Sequence, residues 1–406
     1  MSAQEEGKRS FLRWREIPGG VWALGLVSLL MDVSSEMIHA LLPLYLVTVL
    51  GTSMLTVGVI EGVAEATASI VKIFSGGLSD KLGKRKLLAA LGYGLAAFTK
   101  PIFPLASDIG WLMAARFIDR VGKGIRGAPR DALIADIAPH DLRGASFGLR
   151  QTLDTIGAFL GPLLAIGLMV LAANNFTVVF WIAVIPAFLS FAVIVFAVRE
   201  PSRPAGARTV KSPLSRMELR RLGDAYWFVV AVATIFTLAR FSEAFLLLRA
   251  QSVGLSLALV PAVLVVMNVA YAFSAWPAGA LSDRIGRFGV LSMGFALLMM
   301  ADLFLALGGN LGVVLLGAVL WGLHMGLTQG LLSALVADTA PPELRGTAFG
   351  MFNLVTGLAM LMASVIAGSL WDNIGPRGTF LAGALFTAAA LAALPLLRRR
   401  LVADRG

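Results

Sequence analysis

The sequence predicts an all-α integral membrane protein, with twelve transmembrane helices in two homologous six-helix halves. Three observations carry this expectation. The 406 residues are 58% hydrophobic and 14% charged, with mean hydropathy +0.82, whereas a soluble domain carries roughly a quarter charged residues. Apolar runs of about 20 residues, enough to cross a bilayer as helices, recur along the chain. The chain also repeats itself. GGLSDKLGKRKLL at Gly76 returns as GALSDRIGRFGVL at Gly279, 203 positions later, and ADIAPHDLRGASFG at Ala135 returns as ADTAPPELRGTAFG at Ala337, 202 positions later. Those offsets are half the chain, so two fused copies are expected.

Taken in order, the expected spans are 20–42, 55–78, 87–106, 110–135, 146–171, 176–198, 225–248, 256–280, 289–308, 311–336, 347–370 and 378–397. Turn-forming residues separate several of them: SDIG near Ser107, AANN near Ala172, GGN at Gly308 and DNIGPRG at Asp372. The organisation follows as an N-terminal segment 1–18, a six-helix half 19–198, a linker 199–224, a second half 225–397 and a tail 398–406. The linker is the only long polar connection, and its 214–224 part reads either as an amphipathic interfacial helix or as a plain charged linker.

Loop charge alternates. Lys8, Arg9, Arg13 and Arg15 precede the first span; Lys81, Lys84, Arg85 and Lys86 follow the second. The linker and the tail are rich in arginine, while the opposite loops carry little charge. Basic loops stay cytoplasmic, which places both termini and the linker inside, in a cell membrane of the bacterial inner-membrane kind. The same bias accounts for the net charge of +10 without nucleic acid as a partner. There is no cysteine, so disulfides and thiolate metal sites are excluded. No nucleotide-binding loop is present, which disfavours ATP-driven transport. The scattered histidines and methionines give no metal cluster, and no cofactor is expected.

The stretch GGLSDKLGKRK resembles the loop 2–3 signature of the major facilitator superfamily, and GALSDRIGR resembles its second copy in loop 8–9. That resemblance implies the major facilitator fold, alternating access, and a conformational latch carried by Gly76, Asp80, Arg85, Gly279, Asp283 and Arg284. The second copy departs after Arg287, where Phe288 and Gly289 replace the basic pair. In the fifth span, Gly148, Gly157, Gly161 and Pro162 resemble the G-x8-G-x3-G-P signature of the antiporter branch, although Ala165 and Ile166 stand where the family has two closing glycines. Such glycines also serve close helix packing. Arg116-Phe117 with Gly122 and Gly124 resembles the superfamily's proton-coupling signature in its fourth helix, with Arg120 in place of a glycine.

Charge inside the membrane is concentrated in the first five spans. It includes Asp32, Glu36 and His39; Glu61, Glu65 and Lys72; Lys100; Arg116, Asp119, Arg120, Lys123, Arg126, Arg130 and Asp131; and Arg150 with Asp154. The second half has Arg240, Glu243, Asp302 and His324. Membrane-embedded charge is expensive and marks a pathway or a coupling step. Asp32 and Glu36 are four apart and share a helix face, as do Glu61 and Glu65. Asp32, Glu36 and Asp154 are the expected proton-coupling carboxylates. Arg116, Arg120, Lys123, Glu61, Arg240 and Glu243 are the expected substrate contacts, and the cations favour an anionic or zwitterionic solute. The reading is a monomeric, proton-coupled secondary exporter of a small organic solute, with no enzymatic activity. Proton-coupled uptake of a small anion or metal chelate is the alternative, and a membrane-embedded enzyme or a receptor-like protein without flux is the rival of another class.

Overall fold

The structure is a computed structural model that describes residues 16–82, 84–139, 142–200, 221–341 and 344–403. In a bilayer the backbone polar groups must be satisfied within a segment, so apolar runs of this length become helices. Fourteen helical elements are described: α1 (Gly19–His39), α2 (Leu42–Thr48), α3 (Met54–Leu82), α4 (Arg85–Thr99), α5 (Ile102–Leu105), α6 (Ile109–Ile137), α7 (Arg143–Leu171), α8 (Phe176–Phe196), α9 (Asp224–Ala239), α10 (Ala244–Ser252), α11 (Ala262–Leu307), α12 (Leu311–Thr339), α13 (Arg345–Ile374) and α14 (Pro376–Ala403).

All twelve expected spans are present. Three are broken into two helices: α1–α2 at Ala40 and Leu41, α4–α5 at Lys100 and Pro101, and α9–α10 between Arg240 and Glu243. Two others are merged. α11 runs through the eighth and ninth spans and bends at Gly286, whose φ of +77° favours a glycine. Among the described residues, ten helices are long and apolar enough to cross a membrane, the broken spans each counting as one. α6 is not among them; its 29 residues suffice in length, but it carries charge along nearly its whole course.

The repeat shows in the caps as well as in the spans. The Asp108 carboxylate accepts the N–H groups of Gly110 and Trp111 at 2.8 and 3.2 Å and starts α6. Asn310, 202 positions later, accepts the Val313 N–H at 3.1 Å and starts α12. Side-chain acceptors satisfy amides that the first helical turn leaves over.

The chain divides into two compact units. The first comprises residues 1–39, 71–168 and 175–211, and the second comprises 40–70, 169–174 and 212–406. In the first, buried apolar residues of α1, α4, α6 and α8 form one cluster around Leu24, Tyr93, Leu133 and Ile194. In the second, the packing is dominated by rings. Phe236 and Phe295 stack 4.0 Å apart, and Phe241 packs against Phe245, Trp321 and Phe380. The linker segment 214–220, expected as either an interfacial helix or a plain linker, lies outside the described residues.

Candidate transport site

Within the first unit, α7 meets α1 through glycine. A Cβ at position 157 would lie 2.8 Å from the Leu29 carbonyl oxygen and 2.9 Å from the Asp32 Cβ; at position 161 it would lie 2.5 Å from the Glu36 Cβ. Only glycine permits this approach. The two helices therefore close on the α1 face that carries both carboxylates. Gly148 of the same signature meets nothing within 4 Å, so close packing explains two of its three glycines and not the third.

The carboxylates lie among cations. Asp32 is in the electrostatic field of Asp154, Arg126, Lys123 and Arg130. Asp154 pairs closely with Arg150, one helical turn away on α7, and stands 3.9 Å from Arg130. Arg130 and Arg150 also share Asp131, at 3.0 and 3.7 Å. Arg130 donates further to the Ser28 hydroxyl at 2.8 Å, and Ser28 shares a 3.1 Å hydrogen bond with Tyr93. The Arg126 guanidinium sits 4.8 Å from the centre of the Tyr93 ring, a cation–π geometry.

A second cluster is held by the break between α4 and α5. Lys100 donates to Asp119 at 2.9 Å and to Ser35 at 3.0 Å, with both charged side chains 3% exposed or less. Arg120 lies 4.0 Å from the same carboxylate. Arg116, 2% exposed, hydrogen-bonds His39 at 2.8 Å. The sequence places Arg116, Arg120 and Asp119 together by helical spacing. Their actual partners, His39 and Lys100, come from other helices and carry no local signal.

Within the second unit, a cavity of about 240 Å³ is lined by polar groups of four helices: Glu65 and Ser69 of α3, Thr237 and Arg240 at the end of α9, Gln329 of α12 and Thr356 of α13. Of the expected substrate contacts, Arg240 lines this cavity; Arg116, Arg120, Lys123, Glu61 and Glu243 are not among its lining residues. Glu243 is an electrostatic neighbour of Arg240, and Glu61 is fully buried. Glu65, which shares a helix face with Glu61, is the carboxylate that lines the cavity. Phe236 forms part of the wall, and the His324 ring lies 6.1 Å beyond it. Both ring nitrogens of His324 and both carboxyl oxygens of Asp302 are buried without a hydrogen-bond partner among the described residues.

The interruptions of the first and seventh spans fall at corresponding places in the repeat, and paired interruptions of this kind point to binding sites in transporters. Close by, α3 and α13 pack through small residues. A Cβ at Gly62 would meet Leu361 at 2.9 Å, and one at Gly357 would meet Ser69 at 2.8 Å. The Asp372 carboxylate at the end of α13 accepts the Met54 and Leu55 amides at the start of α3, at 2.9 and 2.8 Å.

The two copies of the loop signature are tied down alike. Arg85 pairs with Asp136 at 2.7 Å and also donates to the Ala132 carbonyl at 2.8 Å. Arg287 pairs closely with Asp338. Asp136 and Asp338 are equivalent members of the second repeated motif, but Arg85 aligns with Phe288. Its work passes to the neighbouring Arg287, and the departure of the second copy is thereby compensated. Gly76 faces Ala128 at ordinary contact distance. The side chains of Asp80, Asp283 and Arg284, and the surroundings of Gly279, lie outside the described residues.

The model of the major facilitator superfamily matches residues 24–364. The chain belongs to that superfamily. An uncharacterized MFS-type transporter of Methanocaldococcus jannaschii is 35% identical over 379 residues, which is 91% of this chain and 93% of that protein. The quinolone resistance protein NorA of Staphylococcus aureus is 27% identical over 197 residues, 48% of each chain. Among solved structures, a mutant of the nucleoside transporter NupG superposes with a TM-score of 0.79 at 13% identity, covering 93% of this chain and 99% of that one. At that identity the likeness is one of fold. This superfamily member is a multi-pass membrane transporter and not an enzyme.

Proposed function

We propose that this transporter is a proton-coupled exporter of small zwitterionic or anionic solutes, acting as a monomer in a bacterial inner membrane with both termini cytoplasmic. The observation that carries the reading is the set of embedded carboxylates, Asp32 and Asp154, that share the cations of α6 and α7. Such a carboxylate can hold a proton when its cations are drawn elsewhere and give it up when they return. Alternating access supplies that change of surroundings, so the proton is loaded on one side and released on the other. Lys123, Arg126 and Arg130 set the field of this network; Asp32, Glu36 and Asp154 exchange the proton. Asp80, Asp283 and their glycine neighbours steady one end of the cycle.

Arg240 and Glu65 of the cavity offer one charge of each sign among hydroxyl and amide groups, which suits a zwitterion. The partial likeness to a quinolone resistance protein supports the outward direction.

The test is reconstitution in liposomes with an imposed pH gradient, using norfloxacin as zwitterionic probe, carboxyfluorescein as anion and ethidium as cation. Norfloxacin is expected to move against its gradient, and a protonophore is expected to abolish that movement. Flux of ethidium alone, or flux indifferent to pH, overturns the reading. In the same assay Asp32→Asn is expected to leave norfloxacin counterflow intact while removing its dependence on the pH gradient; normal proton-driven transport by that variant removes Asp32 from the coupling step.

A further inference from the structure

The hydrogen bond between Arg116 and His39 has a direction that chemistry settles. A guanidinium has donors and no acceptor. The 2.8 Å contact runs from Arg116 Nη2 to His39 Nδ1, so Nδ1 carries the lone pair. While the bond exists His39 is neutral, with its proton on Nε2. A proton on Nδ1 removes the acceptor and sets two cations against each other at contact distance.

The place of His39 in the chain makes that exchange consequential. It is the last residue of α1, immediately before the break at Ala40 and Leu41. The backbone there is not locked into a continuous helix. Arg116 is buried in the first unit and is the first charged residue along α6.

The charged groups facing this end of α1 come from several helices. α1 itself supplies Glu36, one turn before His39, and Asp32 one turn further on. α6 supplies Arg116, Asp119 and Arg120. The α4–α5 break supplies Lys100, bound to Ser35 and Asp119. α7 approaches α1 with Gly157 and Gly161 and carries Arg150 and Asp154 nearer its start. α8 packs along α1 and contains no titratable residue. The cations Lys100 and Arg120 meet Asp119, and Arg116 meets His39. A further positive charge on His39 therefore enters surroundings already rich in cations.

We infer that His39 is a proton-binding site in this transporter, and that a proton there is mutually exclusive with the His39–Arg116 hydrogen bond. Proton binding releases Arg116 from the end of α1. His39⁺ is then drawn to Glu36, its neighbour at i−3 on the same face, and the Arg116 guanidinium loses its His39 acceptor. His39 acts through Arg116 and is a positioning residue. The inference rests on the proton-coupled reading above for its role in transport, but not for the protonation equilibrium itself.

Two measurements test it, and they fail separately. The first is ¹⁵N NMR of the full-length, histidine-labelled protein in detergent micelles. The chain has three histidines, and the His39→Gln spectrum identifies the signal that belongs to His39. The expected result at pH 8 is a single neutral tautomer with unprotonated Nδ1, with tautomer averaging in Arg116→Met, and loss of the Nδ1 acceptor signal on acidification. A tautomer mixture in the wild type that Arg116→Met leaves unchanged overturns the proposal.

The second is the pH profile of norfloxacin flux in liposomes. Glutamine at position 39 accepts from Arg116 at any pH and cannot take up a proton. A one-proton step changes flux by up to about tenfold per pH unit on its limb of the profile. His39→Gln is expected to remove that limb while flux on the plateau persists. A pH-dependent wild type whose profile is unchanged in His39→Gln overturns the role in transport. If the wild type shows no pH-dependent flux at all, the proton-coupled reading fails; the NMR result then still decides whether His39 is a proton site.

Discussion

The two compact units share a frame and differ in what they bury. Each ties its loop signature to the second motif through an arginine and an aspartate, Arg85 to Asp136 and Arg287 to Asp338. Inside, the first unit packs a mesh of ion pairs, in which Lys100, Asp119, Arg130, Asp131, Arg150 and Asp154 have charged partners. The second packs rings, and its embedded Asp302 and His324 have no hydrogen-bond partner among the described residues. The frame governs how each unit is braced. The interiors diverge, with ion pairs in the first unit and rings beside a cavity in the second. A duplicated fold can thus be held to one geometry at its loops while its two membrane interiors diverge.

The comparison can be broken most severely at the buried pair of the first unit. Lys100→Met leaves Asp119 buried with a lost partner and is expected to cost about 3–5 kcal/mol, read as a lower midpoint in thermal unfolding of the detergent-solubilised protein. Adding Asp119→Leu should recover much of that loss. Asp302 of the second unit has no hydrogen-bond partner among the described residues, so Asp302→Asn is expected to leave the midpoint unchanged or raise it. A fall as large as that of Lys100→Met would mean that the two interiors are not so different.

A smaller effect separates the glycines of α7. Gly161→Ala forces a methyl group against Glu36 and is expected to cost about 1–3 kcal/mol, as overpacking does. Gly148→Ala meets open space and should stay within about 0.5 kcal/mol of the wild type. Equal losses would deny the close approach of α1 and α7.

The smallest effects are expected at the shared frame. Arg287 and Asp338 are 41% and 35% exposed, so Arg287→Met should cost about 1 kcal/mol or less. Arg85 is 13% exposed and also bonds a backbone carbonyl, so Arg85→Met should cost more, about 1–2 kcal/mol. Thermal midpoints of the two variants, measured side by side, check the order.

Much of the fold is legible in the sequence, because lipid leaves a long apolar segment one economical backbone arrangement and the repeat is written in nearly identical letters. The spacing of Gly157 and Gly161, the shared face of Asp32 and Glu36, and the i,i+4 placement of Arg150 and Asp154 are local, and all can be read from helical periodicity. The breaks at Ala40, Lys100 and Arg240 are less legible. Nothing in the hydropathy of those spans distinguishes a bend from a straight helix; Pro43 and Pro101 stand beside the first two breaks, and the third has no proline. Glu65 is a similar case: its place on α3 is plain, but the neighbours that complete the cavity come from α9, α12 and α13.

By itself the sequence determines the number of helices, their duplication, the family, and the concentration of charge in the first five spans. Each of these depends on residue type and spacing along one chain. Only the tertiary structure decides that Arg116 meets His39, that Lys100 meets Asp119 across a broken helix, that Arg287 takes over from the position of Arg85, and that Arg240 and Glu65 line one cavity. Those pairings join residues from different helices, and in an apolar surrounding the partner of a charge is chosen by which helix packs beside it.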